Sequence, residues 1–217
     1  MVNALKTKTI NVYSPLEERL NIYSHALACI ASIIGLFLLL NKAWQLGSLL
    51  HAISFCIYSL SMVTLYASSS AYHASQTVER RLKLKVFDHA AIYIFIAGSY
   101  TPFTLITLQG AVGWWMFAIT WSMAAIGVVL KCFFTGRFKL ISTAMYVSMG
   151  WIIIFAIEPL QAALATAGLH LLVAGGIAYT VGAVLYSIKI IPLNHALFHV
   201  MVVAGSGLQF LAVFYYV

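Results

Sequence analysis

The sequence is short of charge. Only 8% of its 217 residues are Asp, Glu, Lys or Arg. A soluble domain carries about a quarter, so this composition cannot cover a water-facing surface. A soluble globular protein is excluded. The chain also lacks a leader-like segment: the first 20 residues, MVNALKTKTINVYSPLEERL, are polar and contain no apolar core. No cleavable signal is expected, and insertion must rely on the later apolar runs. Cysteine is sparse. Cys29, Cys56 and Cys132 show no CxxC spacing, and each lies in or beside an apolar run, which reads as small packing residues. No internal repeat or low-complexity stretch interrupts the pattern, so residues 1–217 read as one domain, with 1–20 as a cytoplasmic tail. Ionisable residues are few within the apolar runs and form no polar stripe. That argues against a wide aqueous pore.

What remains is apolar: 63% hydrophobic residues and a mean hydropathy of +0.97. Seven runs approach the roughly 20 residues that cross a bilayer as a helix. They cover about 21–41, 47–72, 86–108, 110–131, 140–157, 163–187 and 194–216. The expected fold class is an all-α membrane protein, a seven-transmembrane helix bundle. Basic residues orient it. Lys6, Lys8, Arg19, Arg80, Arg81, Lys83, Lys85, Lys131, Arg137, Lys139 and Lys189 fall on one side, and only Lys42 on the other. The positive-inside rule then puts the N-terminus in the cytoplasm and the C-terminus outside. The formal net charge of +7 does not indicate nucleic acid, because the basic residues lie in short inter-span loops rather than on one soluble face.

Histidine carries the chemistry. NHALFHV at the head of the last run places His195 and His199 four residues apart, on one face of a helix. Two imidazoles at that spacing can bind one metal. SSSAYHAS ends the second run with Ser69 and His73, again four apart, and FDHAAIY opens the third with Asp88 and His89. The alternating directions of the spans bring His73, Asp88, His195 and His199 to similar depth at the cytoplasmic face. Polar and ionisable groups in lipid are costly unless paired or hydrated. Three neutral imidazoles suit zinc and leave a fourth position for water. Asp88 is then a candidate general base, and Ser69 a candidate donor to the water or a developing oxyanion. Other polar residues have plainer readings. His89, His51 and His170 read as hydrogen-bonded packing residues, and His25 as a weaker member of the pocket lining. Ser68–Ser70 read as small residues for close packing, Pro102 as a kink, Glu158 as a solvated carboxylate and Asn194 as a cap for the last span.

These strings resemble the bacterial hemolysin III family, the prokaryotic branch of the progestin and adipoQ receptors. The likeness covers nearly the whole chain: EERLNIYSHALA with Glu17, Asn21 and His25, the Ser-x3-His of SSAYH, FDHAAIYIFIAGSYTPF, and the His-x3-His of HALFH. The resemblance implies seven transmembrane helices in a bacterial cell membrane, with zinc near the cytoplasmic side. It assigns zinc to His73, His195 and His199, with Asp88 and Ser69 close by. Through alkaline ceramidases in the wider superfamily it implies amide hydrolysis of a lipid, and through the family name a cytolytic role. Three readings stand open. One is a zinc-dependent lipid amide or ester hydrolase, with membrane lipids as substrate. Another is a membrane homeostasis or receptor-like protein in which zinc is structural. The last is a hemolysin-like pore.

Overall fold

The computed structural model describes residues 13–135 and 139–217. The first twelve residues, with Lys6 and Lys8, and residues 136–138, with Arg137, lie outside the described residues. Helix α1 spans Pro15–Gln45, α2 Leu49–Ala74 and α3 Val78–Pro102, which runs on as a π-helical turn, Phe103–Leu108. Helix α4 is Gly110–Phe134. The fifth span is composite: α5 Lys139–Gly150, a 3₁₀ segment Ile152–Ala156 and α6 Ile157–Ala163. Helices α7, Thr166–Ser187, and α8, Asn194–Tyr216, complete it. Seven of these spans are long and apolar enough to cross a membrane.

The spans differ from the apolar runs mainly at the polar end. Helix α1 starts at Pro15, not at residue 21. Ser14 is its N-cap and accepts from Glu17 N at 3.1 Å, Pro15 enters at the first helical position, and Glu17 and Glu18 occupy the first turn. A serine cap, an N-terminal proline and early carboxylates each favour a helix start. Residues 15–20 are therefore helix rather than tail. Helix α3 likewise begins at Val78, because Glu, Arg, Lys and Leu in VERRLKLK are all good helix formers.

Helix α3 is the most enclosed span. It packs between α2 and α4, while α1 packs on both α2 and α8, and α8 lies along α7. Helix–helix association in lipid depends on close packing, which small residues permit. Gly98 of α3 is such a point: a Cβ there would stand 2.1 Å from Ser61 Oγ of α2. The helix passes through Pro102 and widens into the π turn. That fits the reading of Pro102 as a local distortion, since proline cannot donate to the ladder.

The fifth span breaks at Gly150–Trp151. Tyr100 bridges the break: its hydroxyl donates to Gly150 O at 2.7 Å and accepts from Ile153 N at 3.2 Å. Trp151 Nε1 donates to Thr180 Oγ1 at 2.9 Å. Irregular backbone at membrane depth is tolerated where protein groups satisfy it or a cavity adjoins it. Both conditions hold here, because Gly150 and Trp151 also line a cavity.

Candidate metal centre

Three helices deliver the site to one end of the bundle. Helix α2 ends with His73 in its last turn. Helix α8 begins with His195 and presents His199 one turn later. Helix α1 enters between them with Glu17, Asn21 and His25 on its buried face. Those three are four residues apart, so they fall on one stripe.

His73, His195 and His199 are all buried, and each offers one ligand atom within 4.8 Å of the others. His73 Nε2 and His195 Nε2 are 3.1 Å apart. Two nitrogens on one tetrahedral zinc, each with a bond of about 2.0–2.1 Å, would sit roughly 3.3 Å apart. These two donors are close to that separation, and the His199 donor lies within 4.8 Å of both. Their tautomers also suit a metal. His73 Nδ1 lies 2.6 Å from Glu18 Oε2, and a carboxylate only accepts, so Nδ1 carries the proton and Nε2 keeps its lone pair. His199 Nδ1 donates to the Asn21 carbonyl at 3.3 Å, with the same result. Around them His25 stacks on His199 with ring centroids 3.7 Å apart, and Tyr13 stacks on His195 at 4.7 Å. The donor set fits a divalent, imidazole-preferring ion.

His195 and His199 also face a cavity of about 150 Å³ lined mostly by α3, α5, α7 and α8, with smaller contributions from α1, α2 and α4 such as His25, Ser69 and Lys131. Asp88 and Ser69 line the same cavity, among apolar walls that include Phe95, Val147 and Trp151. Asp88 stands outside the group of three ligand atoms. Its Oδ2 lies 2.9 Å from His89 Nδ1, a close approach between neighbours on one helix rather than a hydrogen bond, since that nitrogen has no hydrogen-bond partner among the described residues. Ser69 is buried, and its Oγ has no hydrogen-bond partner among the described residues. Lys131, buried in α4, donates to Ser142 Oγ at 2.5 Å on the cavity wall.

Asn194 departs from its expected role. Helix α8 has no side-chain N-cap. The Asn194 amide reaches back and donates to the carbonyls of Leu185, Tyr186 and Ile188, closing the end of α7. The start of α8 is satisfied from α1 instead: His195 N donates to Glu17 Oε1 at 3.1 Å. Leu193, just before, takes a left-handed φ of 56°, which L side chains seldom adopt. His51 and Glu158 lie away from the site, His51 on Ser48 Oγ at 2.7 Å and Glu158 exposed on α6. All three cysteines are free thiols, none of them fully buried.

Sequence reasoning did not find Glu18. Its signal was present: Glu18 and Asn21 are three apart, on the turn that opens α1 beneath His73. The profile of a family described as haemolysin-III related matches residues 13–210. Hemolysin-3 of Bacillus cereus is 42% identical over 201 residues, covering 93% of this chain and 92% of that protein. The Hemolysin-3 homolog of Bacillus subtilis (strain 168) is 42% identical over 200 residues, 92% of this chain and 94% of the relative. Monocyte to macrophage differentiation factor of Homo sapiens is 27% identical over 209 residues, 92% and 84% of the two chains.

Proposed function

The chain belongs to the haemolysin-III related family of multi-pass membrane proteins, and from that premise we propose that it is a zinc-dependent hydrolase of lipid amide or ester bonds. One observation carries the reading. Two of the three candidate ligands, an acid and an unpartnered hydroxyl open onto a single cavity with apolar walls. Apolar walls with a few polar groups are the chemistry that would receive an acyl chain and its carbonyl.

His73, His195 and His199 would hold the ion. Zinc bound there would supply Lewis-acid polarisation and an acidified water, with a pKa of about 7. Asp88 takes a proton from the attacking water at a carboxylate oxygen. Ser69 Oγ donates to the carbonyl oxygen as negative charge develops there. Phe95, Val147 and Trp151 exclude bulk water and seat the acyl chain. The excess of Lys and Arg at this end of the bundle assigns it to the cytoplasmic side.

The test is fatty-acid release from a panel of lipid amides and esters by the purified, zinc-loaded protein. Loss of a general base costs about 10²–10⁴-fold. Asp88→Asn is expected to fall by that factor with its metal retained. No release from any substrate would reject the hydrolase. A structural metal is the second reading, and one observation favours it. The ligands join α2 and α8, which otherwise make few close backbone approaches. On that reading, His73→Ala lowers thermal stability and no lipid turns over.

A further inference from the structure

The three imidazoles come from α2 and α8, yet what holds them comes largely from α1. Glu17 fixes the backbone of His195, the Asn21 carbonyl receives His199, and Glu18 receives His73. Glu18 differs from the other two in being held by a cation from another helix. Its Oε1 is paired with Arg81 at the start of α3. Arg81 is itself restrained: it donates to Ser75 O at 3.4 Å, and its guanidinium lies 5.0 Å from the Tyr72 ring. A carboxylate in the first turn of a helix is favoured by the helix dipole. Glu18 is also half-buried there. Its side chain is 19% exposed, and that of His73 is 0% exposed. Both carboxylate oxygens are committed, one to each neighbour.

We propose that Glu18, anchored by Arg81, is the positioning residue of the metal centre, holding His73 with Nε2 toward the ion and setting the metal affinity. The reason is the chemistry of an imidazole ligand. A carboxylate on the far nitrogen fixes the tautomer and ring orientation and makes the near nitrogen a stronger donor. Removing such a partner costs about 10–100-fold in metal affinity. Arg81 acts through Glu18 by fixing where its carboxylate sits. The Glu18–Arg81 pair also ties α1 to α3 across the end of α2, so three helices converge on one ligand. This inference rests on His73, His195 and His199 being metal ligands. It is independent of whether the metal hydrolyses lipid.

The experiment uses the full chain in detergent and reads the zinc dissociation constant by competition with a chromogenic chelator. The d–d spectrum of the cobalt-loaded protein is the second readout. Glu18→Gln keeps the shape and one acceptor but removes the charge. It is expected to weaken zinc about 10–100-fold and shift the cobalt spectrum. Arg81→Gln leaves Glu18 charged but unanchored, and is expected to weaken zinc by a smaller factor. The double variant should be no weaker than Glu18→Gln alone, because Arg81 works through Glu18. Zinc affinity and cobalt spectrum both unchanged in Glu18→Gln would overturn the proposal. If that variant does not fold, unchanged affinity in Arg81→Gln overturns it equally. An unmodified chain that binds no metal removes the proposal together with its ligands. Weakened zinc in a protein that turns over no lipid leaves the positioning role standing and defeats only the hydrolase.

Discussion

His195 and His199 were legible because a helix repeats every 3.6 residues, so two imidazoles four apart must share a face. His73 was legible by depth, since it ends one span where the last begins. Both signals are local to a single helix. The Glu18 contact is not, because it depends on how α1 is rotated against α2, and no pattern within either helix encodes that. Asn194 fails for a related reason. Its position suggested a cap for the helix it begins, but the turn through Leu193 aims its amide at the helix before. Ser69 is the residue whose role the geometry sharpens most. A buried hydroxyl with no partner is costly unless something arrives to accept from it. In the fatty-acid assay Ser69→Ala is therefore expected to retain its metal and lose about 10²–10³-fold in turnover, the usual effect of removing one oxyanion donor. Unchanged turnover would make Ser69 a packing residue.

At the scale of elements, apolar runs located all seven spans but could not see where helix continues past the hydrocarbon. Residues 15–20 and 78–85 are polar, so hydropathy ended the spans early, whereas backbone capping and helix propensity extended them. The break at Gly150–Trp151 was invisible for the opposite reason. MGWIIIFA is apolar throughout, and its irregular backbone is satisfied by groups on other helices, the hydroxyl of Tyr100 among them. Close packing of α2 on α3 is likewise a tertiary fact. Gly98→Ala would drive a methyl to within 2.6 Å of Ser61 Cβ. Overpacking of this kind costs about 1–3 kcal/mol, so a lower melting temperature is expected, partly restored by adding Ser61→Gly. A Gly98→Ala protein as stable as the parent would show that the α2–α3 contact yields easily.

For the whole molecule, composition alone sufficed to establish a membrane bundle, because 8% charge leaves no other class. Orientation across the membrane is a proposal drawn from the sequence, in which eleven of the twelve basic residues are expected on one side. A phosphatase that is active only outside the cytoplasm, fused after Val217, is expected to be active, and the same enzyme fused ahead of Met1 inactive. The reverse pattern would turn the bundle over and place the histidines at the outer face. The central claim is that this bundle is assembled around a metal held by His73, His195 and His199. The measurement that tests it most directly is the metal content of the protein purified without chelator, by inductively coupled plasma mass spectrometry, alongside His199→Ala. About one zinc per chain, lost in the variant, is the predicted result, as a three-histidine site requires all three ligands. No stoichiometric metal in the parent, or equal metal in both proteins, would contradict it.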